Sequence, residues 1–213
     1  MREAAVALVS LLERGQLWRG SHTDVAPTEE VEPSGYTALD ELLSGGGWLK
    51  GQLIELLYSG EGRGELRLLW PLLKRFSSEG RAILWIDPPH QPYSLALLQA
   101  GISLSSQRIV STHSNKERLW AIEQALKSGA VPMVLSWLDS EVPSSALRRL
   151  QLAAQAGGVL GWVMRAAEMS ESSSPAAYRV LLNSSETGTE LTLLKRRSGW
   201  PLPPFVLELP EVI

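Results

Sequence analysis

The chain contains no cysteine. That excludes disulfides and thiolate metal sites, and it fits a reducing compartment such as the cytoplasm, where the protein is expected to reside. Histidine is scarce as well. His22, His90 and His113 lack the spacing that metal ligation requires, so they read as scattered surface or turn residues, with no metal or cofactor expected. Positive charge is not in excess either: the formal net charge is −3, so nothing draws the whole molecule toward DNA or an anionic membrane, and any nucleic-acid contact must be local. Also missing is an apolar run long enough to span a bilayer. Ala4 to Leu12 comes nearest, but Glu3 and Glu13 bracket it and no small-residue cleavage site follows, which argues against a signal peptide. Ala5, Leu8 and Leu12 share one helical face there, which predicts a short amphipathic helix.

What is present is an ordinary globular balance. The 213 residues are 44% hydrophobic and 20% charged, enough for one domain with a substantial core and an N-terminal arm. Eight tryptophans spread along the chain; most are expected in the core, and an exposed one would mark a contact surface. Residues 1–34 read as the helix followed by an acidic, Pro-punctuated linker, residues 35–198 as the core and residues 199–213 as a C-terminal tail. Within the core, apolar runs at 53–57, 82–86, 131–137 and 159–164 alternate with helical periodicity at 66–76, 119–126 and 146–156. Such alternation with strands buried on both faces predicts an α/β fold with a mostly parallel central sheet. Alternating segments at 177–182 and 190–195, with a last strand near 205–209, predict antiparallel strands at the C-terminal end.

The strand Leu53 to Leu57 runs into Ser59-Gly60-Glu61-Gly62-Arg63-Gly64 and then into a helical pattern. A phosphate-binding loop GxxxxGK[ST] uses backbone N–H groups, a lysine and a magnesium-binding hydroxyl. Aligned on Gly64, Ser59 holds the first glycine position, Glu65 the lysine position and Leu66 the hydroxyl position, while Gly60 and Gly62 keep backbone donors available. At about 4 Å and an effective dielectric near 20, one unit charge pair is worth roughly 4 kcal/mol, so lysine to glutamate turns a large attraction into a comparable repulsion. The loop reads as a degenerate nucleotide site without catalysis.

Pro33-Ser34-Gly35 through Leu43, Gly45-Gly46-Gly47, Lys50-Gly51 and the strand-loop from Leu53 to Gly64 together resemble the opening of the RecA-like P-loop NTPase core. The resemblance implies that Pro89 stands at the catalytic glutamate position and Ser136 at that of the Walker B aspartate. With Glu65 and Leu66, four functional positions are replaced, so the resemblance implies a pseudo-ATPase. Asp87 is left as a structural carboxylate or cap. The two loops that would face DNA, 139–143 and 166–175, carry Asp139, Glu141, Glu168 and Glu171, which repel phosphate.

A longer series of matches resembles the ImuA family: Leu17-Trp18-Arg19-Gly20, Gly45-Gly46-Gly47-Trp48, Gly64-Glu65-Leu66, Pro88-Pro89-His90, Trp120 through Ala130, and Leu194-Lys195-Arg196-Arg197 with Leu207-Glu208-Leu209-Pro210. That resemblance implies a non-catalytic accessory protein of SOS-induced translesion synthesis and mutagenesis, with ImuB, an error-prone replicative-type DNA polymerase and RecA as partners. Trp18 and Arg19 in the arm, and Lys195, Arg196, Arg197 and Trp200 near the C-terminus, are the expected partner contacts, as aromatic-cation groupings typical of interface hot spots. The stretch from about Gly60 to Met164 also resembles SulA, the SOS-induced cell-division inhibitor, which implies FtsZ as the alternative partner.

Overall fold

The computed structural model describes residues 30–60, 65–185 and 188–210. Two short strands, β1 (Val31–Glu32) and β2 (Trp48–Leu49), pair antiparallel around helix α1 (Thr37–Asp40). Then follow β3 (Leu53–Tyr58), a 3-10 turn (Glu65–Leu69), α2 (Trp70–Ser78), β4 (Ile83–Ile86), α3 (Ser94–Gln99), a second 3-10 turn (Leu104–Ser106) and β5 (Gln107–Val110). The chain continues through α4 (Asn115–Ser128), β6 (Met133–Trp137), α5 (Ser144–Gly157), β7 (Leu160–Ala166), a third 3-10 turn (Ala167–Glu171), β8 (Tyr178–Ser185), β9 (Gly188–Lys195) and β10 (Phe205–Leu207).

The main sheet has eight strands in the order β10-β9-β8-β3-β7-β6-β4-β5. It is mixed: the pairs from β8 across to β5 are parallel, and β8-β9 and β9-β10 are antiparallel. β3 lies between β7 and β8, so all six residues of Leu-Ile-Glu-Leu-Leu-Tyr are buried. Strand alternation sends Ile54, Leu56 and Tyr58 into one core with Trp48, Trp85, Trp162 and the α2 residues Leu72, Leu73 and Phe76. Leu53, with Ile86, Val134 and Val163, faces the opposite core beneath α4 and α5. Trp162 and Tyr178 meet Trp48 edge-on at 5.1 and 5.2 Å between ring centroids, an arrangement that suits the ring quadrupoles.

The two helices on the second face are pressed together. A Cβ on Gly157 would lie 2.0 Å from the Leu126 carbonyl oxygen, so no larger residue fits there. α4 starts where the Ser114 hydroxyl accepts the Glu117 N–H, the N-cap arrangement that satisfies an orphan donor.

Two expectations change here. Val31 and Glu32, read as linker, form β1, and Glu32 holds Arg75 at 2.6 Å and Lys50 at 3.3 Å. The RecA-like P-loop NTPase core is not the architecture that describes this chain, whose sheet is an eight-stranded mixed one. A phosphate loop presents the first turn of an α-helix to its ligand. After β3 the described chain instead resumes as the 3-10 turn from Glu65, and α2 begins only at Trp70, with Pro71 in its first turn. The calls on residues 1–29, including the helix and Trp18-Arg19, and those on residues 61–64, including Gly62 and Gly64, lie outside the described residues.

Candidate functional site

The carboxyl ends of the parallel strands gather the loops that follow β4, β5, β6 and β7. Side chains rooted in the sheet pin them. Glu55, in the middle of β3, is fully buried and accepts from Arg165 Nη1 at 2.9 Å on β7 and from Arg179 Nε at 2.7 Å on β8. Arg179 reaches on to the carbonyls of Met169 and Ser170, and Arg165 to those of Asp139 and Ser140. Thus the two loops expected to face DNA are tied down by guanidinium groups whose charge one buried carboxylate balances only in part. Lys195 adds a third cation: its Nζ donates to the Ser174 carbonyl at 3.0 Å, and burial, then the neighbouring Arg179, lower its pKa.

A second network holds the next loops. Asp87, at a positive φ of 48°, accepts from the Thr112 N–H and hydroxyl and from Arg118 Nε, and Arg118 also reaches Asp139 at 3.2 Å. Burial pushes the Asp87 carboxyl up. The hydrogen bonds from Thr112 and Arg118, with the guanidinium charge, outweigh it and hold the group below its ordinary range.

The expected nucleotide residues form no recognisable site among the described residues. Ser59 and Gly60 are exposed, Gly60 at a φ of 73°, while Glu65 is buried and its Oε2 finds no hydrogen-bond partner. Leu66 packs against the first core. Ser136 is buried and donates to the Trp162 carbonyl, and Pro89 is exposed. The basic cluster is largely engaged at home. Arg196 donates to the carbonyls of Leu42 and Trp200, Lys195 is spent on Ser174, and the Arg197 carbonyl accepts from Ser44. Trp200, by contrast, stands 86% exposed at the end of this braced turn.

Sequence reasoning missed a group of exposed apolar side chains in the middle of the chain. Tyr93, Leu95 and Leu98 are 67%, 49% and 54% exposed on and beside α3, with Leu104 and Ile109 exposed just beyond. A six-residue helix buries one face only, and here Leu97 alone is buried. The signal was present in the composition, because Ser94-Leu95-Ala96-Leu97-Leu98 holds more leucines than one face of so short a helix can bury. Residues 88–116, moreover, contain no Asp or Glu. Among the described residues no three His, Asp or Glu side chains form a metal-holding group, and no helix is long and apolar enough to cross a membrane.

Comparison with known proteins gives one consistent result. The family model described as "Cell division inhibitor SulA" matches residues 51–161. The SulA of Photorhabdus laumondii is 34% identical over 113 residues, 53% of this chain and 63% of that relative, a little under two thirds of its length. The SulA of Pectobacterium atrosepticum is 29% identical over 160 residues, 74% of this chain and 92% of the relative. That of Pectobacterium carotovorum is 32% identical, with 61% of this chain and 75% of the relative covered. Among solved structures, SulA from Pseudomonas aeruginosa is 28% identical, covers 53% of this chain and 97% of its own, and has a TM-score of 0.45.

The family model and the SulA relatives overturn the ImuA resemblance, and with it the translesion reading and its partners ImuB, the error-prone polymerase and RecA. The elements that carried the resemblance were short Gly-rich and basic pieces whose order, not their chemistry, made the case. Nor does the family description, that of an inhibitor, lend support to Ser59–Leu66 as a decayed ATPase loop.

Proposed function

We propose, from the premise that this chain belongs to the SulA family of cell division inhibitors, that it halts division by binding FtsZ, and that it does so as a binding protein without catalysis. The observation that supports this reading most is the exposure of Tyr93, Leu95 and Leu98 inside the segment that matches the family. Leu95 and Leu98 on a short helix, with Tyr93 just before it, mark a contact surface rather than a stray leucine. Asp87 and Arg118 fix the chain just before α3 and just after β5, so the surface is held in shape before a partner arrives. In this reading the protein works in the cytoplasm during the SOS response. Trp200 is a second contact, on the braced turn at the junction of the core with the tail from residue 199. Trp18 and Arg19 in the arm, residues 1–34, are a third.

The test is direct. Purified full-length chain is added to FtsZ, and polymer sedimentation and GTP hydrolysis are followed together with binding. The expected result is a stoichiometric complex and loss of FtsZ assembly. Unchanged assembly with no detectable complex would refute the assignment.

A further inference from the structure

The main sheet has two edges, and they are built differently. Beside β10, Pro201, Pro203, Pro204 and Pro210 remove N–H donors along that edge, a common guard against pairing with another strand. The β5 edge has no such guard: no proline occurs between Ser103 and Thr112. Its one charged residue, Arg108, is folded back, its Nη1 donating to the carbonyls of Ser105 and Gln107. The Val110 carbonyl accepts from the Asp87 N–H, so the strand's alternation turns the N–H and C=O of Ile109 away from β4, on the side where no described strand pairs with β5. The Ile109 side chain, 46% exposed, shares the sheet face of its partner Trp85, the face on which α3 lies.

From this we infer that β5 is a strand-addition site: an extended segment of FtsZ pairs with the outward backbone of Ile109 while its apolar side chains pack on Ile109 and the exposed face of α3. The inference rests on the FtsZ reading for the identity of the partner and adds how it is held. Charge selects the occupant. Residues 88–116 carry Arg108 and Lys116 and no acidic residue, within a chain of net charge −3. The matching segment is therefore one that alternates apolar side chains with carboxylates. A second copy of this chain would bring two acid-free, cationic segments together.

Ile109→Pro deletes the outward N–H and leaves the ladder to β4 intact, because that ladder uses Arg108 and Val110. Ile109→Val keeps the N–H and most of the apolar surface. With the full-length chain, Ile109→Pro is expected to weaken FtsZ binding about tenfold while Ile109→Val stays within about threefold. Both should melt within a few degrees of the parent. In the parent, hydrogen exchange at the Ile109 amide should be fast alone and slow in the complex, with the Arg108 amide unchanged. Equal affinities of the proline and valine variants, or an Ile109 amide that exchanges as fast in the complex as alone, would overturn strand addition and leave the FtsZ assignment standing. Absence of FtsZ binding by the parent would overturn both. Should Ile109→Pro convert a dimer to a monomer in sedimentation without changing FtsZ affinity, the occupant is a second copy and the partner named here is wrong.

Discussion

Replacing Glu55 by glutamine is the perturbation with the largest calculable effect. The carboxylate is fully buried and accepts two charge-assisted hydrogen bonds, at 2.9 and 2.7 Å, from guanidinium groups whose side chains are 3% and 9% exposed. Glutamine has nearly the same volume, so packing is preserved and the change is electrostatic. It leaves Arg165 and Arg179 without a counter-charge, with Lys195 nearby and Arg165 Nε already unpartnered. Breaking a buried pair by removing one member costs about 3–5 kcal/mol, because the remaining charge cannot return to water. Against a total stability of about 5–15 kcal/mol, that is a large share. At roughly 2–4 °C per kcal/mol for a chain of this size, the melting temperature should fall by about 6–20 °C. Urea titration followed by tryptophan fluorescence reads the loss as a lower midpoint at unchanged slope. A loss below about 1 kcal/mol would refute the reasoning, since it would mean that water reaches the cluster and that the loops over it are not closed. The triple change Glu55→Leu, Arg165→Met, Arg179→Met separates the pair from its burial: it should recover much of the loss, because no buried charge is left unpaired.

Other consequences are smaller or local. Asp87, whose pKa is held below its unfolded value, gives stability that is present above the unfolded pKa and is lost as pH falls through the folded one. Asp87→Asn, which tolerates the positive φ, should cost about 1–3 kcal/mol at pH 7 and flatten the acid limb of a stability curve measured between pH 7 and 3. Gly157→Ala should push α4 and α5 apart and destabilise by about 1–3 kcal/mol in thermal melts, whereas an unchanged melting temperature would contradict the close approach to Leu126. Leu95→Ser with Leu98→Ser should leave the melt within about 1 kcal/mol of the parent and reduce FtsZ binding at least about tenfold by titration. Trp200→Ala should not alter the melt by more than about 0.5 kcal/mol, given how little of the ring is covered.

The sequence by itself determined where the buried strands lie. Runs such as Leu53 to Leu57 and Val131 to Trp137 are largely apolar on both faces because both sides of the sheet are covered, with Glu55 and Ser136 as the buried polar exceptions. It also determined that Trp85 and Trp162 belong inside, since each sits within a strand pattern. It offered the right family only as the alternative, ranking ImuA ahead of SulA. Short turn motifs recur across unrelated chains for the same local reasons, and the loop at 59–66 was read by its spacing when a buried Glu65 in a 3-10 turn was the outcome. Only the tertiary structure brought Glu55, Arg165 and Arg179 together, from positions 110 and 124 residues apart in the chain, because the partner of a mid-strand charge depends on strand order and register. It likewise decided that Lys195 and Arg196 are spent on carbonyls while the Trp200 ring stands exposed, although all three looked equally available in sequence. The exposed face of α3 and the edge of β5, unpaired among the described residues, follow from the same cause. Which apolar side chains remain uncovered is settled by where the sheet ends, and strand order is a property of the whole fold.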